Sequence, residues 1–493
     1  MSDLPQSPGN ALEPDHFRPT NTARQNSLVL WILVISTMVM ILNETVLSVA
    51  LPIISQDFGV EATMVQWLTT GFLLVMAVVF PMTGYLLQRF STRTMFVAAL
   101  ALFAIGTAAA GMAWTFPILL VARLVQAIGT AVIIPLLMTV TMTTVPPERR
   151  GATMGLIGVV ISVAPALGPT VSGVILSALS WHWLFWTVLP FVVLCLVIGI
   201  KFMRNVSEQH ALPLDIISVP LSALGFGGLV YGLSEIGTVI NGSTKMPLVV
   251  LAVGAVFLVL FVLRQLTLGK RDAALLNLQP FSFRPFCVAV IAIGSSMGVL
   301  LGTVVVLPFF LQDSLGASAL QTGLLVLPGG LLEGLASPVV GRIYDRRGAR
   351  VLVIPGAIGI TVSELGLSML SENSSIFAVL VLHMLLCLSL ACVMTPLMTD
   401  GLAAVPQNLY SHGSAILNTL EQLGGAAGTA ILVAAMTVAS KYALDSGDAP
   451  TTAMASGAST AFIVGTLVGV ATLVTVLFAA GKTTKKAEPA RDG

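Results

Sequence analysis

The stretch GRIYDRRGAR, Gly341 to Arg350, is a short basic loop between two long apolar segments. A diverged copy, GYLLQRFSTR, runs from Gly84 to Arg93 in the same setting. The leading glycines lie 257 positions apart, and other landmarks repeat at nearly that interval: Pro135 with Pro396, and Val145-Pro146 with Val405-Pro406. A chain built as two copies of one membrane half, each with a charged hairpin at the same place, has the organisation of a secondary transporter.

Composition agrees. Of 493 residues, 56% are hydrophobic and 9% charged, whereas about a quarter of residues are charged in soluble domains. The net charge of +1 gives no general attraction to nucleic acid. Cys195, Cys287, Cys387 and Cys392 all fall in apolar segments without CxxC spacing, which reads as packing rather than a metal or disulfide framework. Residues 1–28 are polar and lack the apolar core of a signal peptide, so they read as a disordered cytoplasmic tail before an uncleaved anchor.

Runs of roughly 20 apolar residues, the length that crosses a bilayer, number 14, from 29–52 to 458–480. The least pronounced, 214–236 and 246–265, fall between the two repeats. With the N-terminus inside and loops assigned alternately, 20 of the 23 Lys and Arg residues fall on the inner side. Lys245 and Lys441 fall outside and Arg123 within a span. The expected fold is therefore an all-α membrane protein of 14 transmembrane helices. It divides into a tail (1–28), a six-helix half (29–204), an inserted helix pair with a cytoplasmic linker (205–285), a second six-helix half (286–480) and a tail (481–493), with both termini cytoplasmic.

These residues resemble the major facilitator superfamily, in its 14-span drug:proton antiporter branch. The second hairpin fits the family's loop motif through Gly341, Asp345, Arg346, Gly348 and Arg350; the first keeps Gly84, Arg89 and Arg93 but has Gln88 for the usual Asp and Ser91 for the usual Gly. ILNETVLSVALP (Ile41 to Pro52) is similar to the first-helix motif, with Asn43 in the usual Asp place and Glu44 beside it. LVARLVQAIGT (Leu120 to Thr130) is similar to the fourth-helix motif with its buried arginine, here Arg123. APALGPTVSG (Ala164 to Gly173) is similar to the fifth-helix antiporter motif, and SWHWLFW follows it with His182 for the usual Arg. Within the branch the motifs look closest to lincomycin-resistance-type exporters. The resemblance implies the major facilitator fold and proton-coupled export of amphipathic drugs or antibiotics through the bacterial inner membrane. It implies a monomer with small molecules, protons and lipid as partners and no cofactor. Export of a dedicated metabolite or lipid-like compound is an alternative. A polytopic enzyme or receptor is disfavoured because no P-loop, HExxH or metal cluster occurs, and a channel because no pore-lining charge ring does.

Ionisable residues inside spans are costly and need a reason. Glu44 and Arg123 lie at matching depths, roughly 12 and 10 Å at 1.5 Å per residue, so a charge pair or water-bridged relay is expected, against a purely structural pair. Glu333 lies in LPGGLLEGLASP, whose small residues leave room for a cavity, and is read as a proton or cationic-substrate group against a structural acid. Glu421 could serve likewise or be a solvated entrance acid; Glu364 is expected to snorkel or bond locally. His383, 260 positions after Arg123, is a weaker proton candidate beside the reading of a satisfied core histidine. Gly168, Pro169 and Gly173 predict a bend at the interface between halves. Asp345 is placed just before the N-terminus of span 11, favoured by that helix's dipole and by nearby arginines. Since Gln88 carries no charge, a latch between the halves is expected to depend on Asp345 alone.

Overall fold

In a bilayer every backbone N–H and C=O must be satisfied within the protein, so long apolar runs become helices. The computed structural model describes residues 21–206, 215–240, 242, 244–270 and 273–480. The predicted tails (1–20 of the first, all of 481–493), and residues 207–214, 241, 243 and 271–272 of the predicted insert, lie outside the described residues.

Fourteen main helices follow in order. They are α1 (Asn21–Val46), α2 (Trp67–Arg89), α3 (Thr92–Gly111), α4 (Phe116–Thr144), α5 (Arg150–Leu176), α6 (Trp183–Phe202) and α7 (Ser218–Ser234). The series continues with α8 (Met246–Gly269), α9 (Arg284–Phe309), α10 (Ala319–Arg347), α11 (Arg350–Ser368), α12 (Ile376–Ala403), α13 (Tyr410–Asp445) and α14 (Pro450–Ala480). Residues 21–28, expected in the tail, already belong to α1. Local chemistry marks several boundaries. Ser91 caps α3 by accepting from the Thr94 N–H, and Ser318 forms a reciprocal capping box with Gln321 at α10. Gly348, at φ +77°, ends α10 in a backbone conformation that other residues rarely adopt.

Among the described residues, thirteen helices are long and apolar enough to cross a membrane. The expected fourteenth, α7, has 17 residues, roughly 26 Å against a hydrocarbon core of about 30 Å. It is short because Asp215 accepts from the Ser218 N–H and hydroxyl, starting the helix four residues later than the apolar run suggests.

In one group of helices α1 packs on α4, α5 and α6, while α4 packs on α2 and α3; in the other α9 packs on α12, α13 and α14, and α11 on α12 and α14. The groups meet along two seams, α5 with α10 and α2 with α13. The α7–α8 hairpin crosses closely at Gly228 and Gly254, where a Cβ on Gly228 would lie 2.9 Å from the Gly254 Cα. It lies over the α2–α13 seam: α7 contacts both helices, and Tyr231 stacks on Trp67 at 5.8 Å. At the open end of the pair, away from its turn, Arg264 grips Asp215 through two bonds of 2.6 Å, and Gln265 bridges the Ser218 hydroxyl (2.6 Å) to the Leu276 N–H (3.1 Å). The connecting segment is thereby drawn inward, burying Ala274, Leu275 and Leu276.

The Arg264 bonds hold the Asp215 carboxyl at about 2, below its ordinary 3.8. A depressed carboxyl contributes stability above its unfolded value and loses it as pH falls toward the folded one. Asp215→Asn is therefore expected to lower the thermal midpoint at pH 7, and the difference from the parent should shrink between about pH 4 and pH 2. Thermal scans of both proteins in detergent across that range check this; an unchanged difference would contradict it.

Candidate functional site

The two sequence hairpins meet the opposite half at the same end of the bundle. Asp345 lies in the last turn of α10, not just ahead of α11 as expected, and its carboxylate accepts from the backbone N–H groups of Gly151 (2.7 Å) and Ala152 (2.8 Å). These N–H groups belong to the first turn of α5, in the other half, where no preceding helical carbonyl can accept them. The dipole argument therefore holds, but for a different helix. Gly341 makes the approach possible: a methyl there would overlap the Gly151 carbonyl. Arg346 and Arg347 occupy the last turn of α10, and among the described residues the ion pair within 4 Å is Arg264–Asp215. Arg150 closes the same end, donating to the carbonyls of Met142 (2.8 Å) and Val145 (3.1 Å) and lying over the Tyr410 ring. Tyr344 donates to Asp400 (3.3 Å).

The first hairpin has its own clasp, contrary to a latch resting on Asp345 alone. Gln88 Nε2 donates to the Asn408 carbonyl (2.7 Å), Gln88 Oε1 faces His412 Nε2 (3.1 Å), and the Asn277 N–H donates to His412 Nδ1 (3.3 Å). Gly84 admits the imidazole edge-on. Arg93 stays within its own half, bonded to the Ile200 carbonyl (2.6 Å), while Arg89 is exposed at the end of α2 and Arg350 opens α11. Toward the opposite end the α5–α10 seam loosens. A Cβ on Gly330 would meet the Ala166 methyl at 3.1 Å and the Ser162 carbonyl at 3.7 Å, and Gly173 and Gly323 have open space around a would-be Cβ. The cleft between the halves is closed at the hairpin end, where both clasps meet.

Inside the first half, Arg123 is fully buried (0% exposed). Its Nη1 donates to Asn43 Oδ1 (3.1 Å) and Gln126 Oε1 (2.9 Å), Gln126 donates to Thr107 (2.8 Å), and the guanidinium lies 4.4 Å from the Phe72 centroid. Glu44 is close enough for its charge to act on Arg123, but forms no ion pair with it within 4 Å. Neighbouring helical residues leave the axis about 100° apart, so only one of Asn43 and Glu44 can face Arg123, and Asn43 does. Glu44→Gln is accordingly expected to insert and fold nearly as the parent does. Arg123→Ala should lose most of the folded protein, stranding Asn43 and Gln126 in the core. Yield and thermal midpoint of both variants and the double variant check this; equal losses would restore the expected charge pair.

The glycine-proline motif also settles differently. Gly168 presses on Thr45 of α1 within its own half, Pro165 and Pro169 lie inside α5, which continues through them, and Pro169 and Gly173 are exposed. Contact with α10 is made instead by Val163 and Ala166.

The second half collects the remaining candidates. Glu333 is half-buried on α10, within hydrogen-bonding reach of Ser162 on α5 and electrostatically coupled to Cys387 on α12 and Glu421 on α13. Glu421 is buried, not a solvated entrance acid. His383 (1% exposed) lies beside Gly329 of α10, with Nε2 3.7 Å from Cys387 Sγ. Three helices thus bring Glu333, Glu421 and His383 to one wall, apart from the Arg123 cluster. Glu364 is elsewhere: fully buried between α9, α11 and α14, it accepts from Thr303 (2.8 Å) and does not snorkel. Among the described residues no group of three or more His, Cys, Asp or Glu is placed to hold a metal ion.

Two helix bundles joined by an inserted pair, with clasping hairpins and ionisable groups along the cleft, frame the comparison with known proteins. The family profile of the Major Facilitator Superfamily matches residues 33–429. The chain belongs to this superfamily. It is a multi-pass membrane transporter and not an enzyme. It is 42% identical to the lincomycin resistance protein LmrB of Bacillus subtilis, over 80% of this chain and 82% of that protein. It is 40% identical to the protein of the same name from Listeria monocytogenes, over 88% of this chain and 93% of that one. Among solved structures, the proton:xylose symporter XylE aligns with a TM-score of 0.66 at 13% identity, covering 93% of this chain and 96% of that one. This likeness concerns the fold.

Within the superfamily frame, the residues missed from sequence are those of the clasps: Arg150, Asn277, Asn408, Tyr410 and His412. A signal was available, because the repeat interval of about 260 sets Ser411-His412 opposite Gly151-Ala152. A polar residue at the start of a span reads as an ordinary helix terminus until its partner from the other half is known.

Proposed function

We propose that this transporter is a proton-coupled antiporter exporting amphipathic drugs or antibiotics, with both termini and the hairpin end in the cytoplasm. The observation that carries the reading is that α10 and α13 each bring a carboxyl out of bulk water inside the bundle, Glu333 half-buried and Glu421 buried, with the Glu333 charge near enough to bear on Glu421. Protonating either relieves their repulsion, and a cationic substrate does the same, so proton and substrate compete for one site. That competition is what couples opposite fluxes in alternating access. The relatives named for lincomycin resistance support a drug as cargo, and the Lys/Arg distribution supports the orientation. On this reading the described conformation is closed to the cytoplasm and open outward, the state that releases cargo and admits a proton. A bacterial inner-membrane location and a monomer complete the proposal.

Everted vesicles carrying the protein and an imposed acid interior test it. Adding lincomycin or another amphipathic amine should discharge the pH gradient in proportion to protein content. Uptake of the amine that is indifferent to collapse of the gradient would exclude antiport.

A further inference from the structure

The first clasp has forced hydrogen-bond directions. A backbone N–H can only donate, so the Asn277 N–H requires His412 Nδ1 to be bare of a proton. In the neutral ring the proton then sits on Nε2 and points to Gln88 Oε1, at 3.1 Å. The Gln88 amide is oriented in turn, and its Nε2 donates to the Asn408 carbonyl at 2.7 Å. The chain from Asn277 through His412 and Gln88 to Asn408 therefore joins the linker, α13, α2 and the α12–α13 loop in one polarity. Each link is between segments far apart in sequence.

We propose that His412 is a proton-sensitive catch on the cytoplasmic gate, holding it shut only as the neutral Nε2–H tautomer. The proposal rests on the alternating-access orientation given above. A second proton would go on Nδ1, set two donors against each other at Asn277 and break the tie to the linker. The ring has no room to turn away, because Gly84 lies against its Nδ1 edge and its Cα, and the residue is 2% exposed. Among the described residues nothing nearby compensates a positive ring. Gly84 and Gln88 on α2, Asn277 on the linker and Asn408 on the adjoining loop do not titrate. On its own helix Tyr410 faces Arg150, and no charged side chain among the described residues bears on the imidazole. The closed gate thus excludes the protonated form and the open gate, where the ring meets water, accepts it. The sign follows: acid shifts the gate toward open, and neutral pH holds it closed.

For an exporter that admits protons, this is a brake. A falling cytoplasmic pH retains the carrier with its cytoplasmic side open and slows the outward step, so the site returns less often to collect the next external proton. The linker is the means, since its neighbouring residues Leu275 and Leu276 are buried and Leu276 is bonded to Gln265 of α8. Release at Asn277 frees the segment that ties the inserted pair to α13.

Pairs of spin labels at Phe90→Cys and Ala403→Cys, both exposed at this end, measure the gate by electron-spin distances in nanodiscs without substrate or gradient. The four native cysteines are replaced by alanine for this purpose. Lowering pH from about 8 to about 5.5, across the ordinary imidazole range, should raise the open-to-closed ratio about tenfold, the scale of one lost hydrogen bond. His412→Gln, which keeps an acceptor and a donor but does not titrate, should remove that response. An equal acid response in His412→Gln overturns the proposal, as does no response in the parent. Nitrogen NMR of histidine-labelled, otherwise unsubstituted protein adds a test needing no variant: the neutral His412 ring must be the Nε2–H tautomer, and the Nδ1–H tautomer would overturn the assignment. Neither measurement involves transport, so failure of the catch and failure of antiport are distinguishable.

Discussion

Glu333→Gln is expected to insert and fold normally yet lose proton-driven efflux by about a hundredfold or more, while substrate still equilibrates down its own gradient. The amide keeps the shape of the side chain and its bond to Ser162 but cannot exchange a proton. A carboxyl responsible for coupling is worth the whole coupling, since a carrier whose two states no longer differ in proton affinity cannot be driven by protons. Glu364→Gln is the matched control. That acid is also buried, but it bonds Thr303 between α9, α11 and α14, away from the cleft, so efflux should persist. Measurement of pH-driven drug efflux and of drug counterflow in proteoliposomes separates the two effects. Robust proton-driven efflux by a well-folded Glu333→Gln protein would remove Glu333 from the mechanism.

Asp345→Asn should open the hairpin end and slow export roughly tenfold. The carboxylate accepts two backbone N–H groups at the positive end of α5, and an amide replaces a charged acceptor with a neutral one. Charge-assisted bonds at a helix N-terminus make this a loss of about 2 kcal/mol, or roughly thirtyfold in the closed-to-open ratio. Gly341→Ala should act in the same direction by a steric route, because the added methyl overlaps the Gly151 carbonyl. Cysteine-labelling rates at the hairpin end and at the opposite end, read together, check both variants. Unchanged labelling with full transport in both would show that the clasp does not set the resting state. Gln88→Asp, which would complete the family pattern, is not a neutral repair here: the amide donates to Asn408, and a carboxylate has no proton to give.

Much of the architecture was legible in the chain. Apolar runs, the 257-residue repeat and the Lys/Arg asymmetry are properties of composition and spacing. The bilayer turns them into helices because it offers no other partner for the backbone. The residues bearing on function were also visible as candidates, since an ionisable group in an apolar span stands out by its cost. Their partners were not. Asp345 was expected at the helix that follows it in sequence and instead caps α5, 193 residues away from its nearer bond partner. Arg123 was matched to Glu44 by depth, but rotation about α1 selects Asn43. His412 was passed over until α2 and the linker closed on it. By itself the sequence determined how many helices form, roughly where they end and which polar residues they carry into the membrane. Only the tertiary structure decided which of those residues meet. Depth follows from position along one helix, whereas contact depends on the rotation and crossing of two helices set by their packing elsewhere.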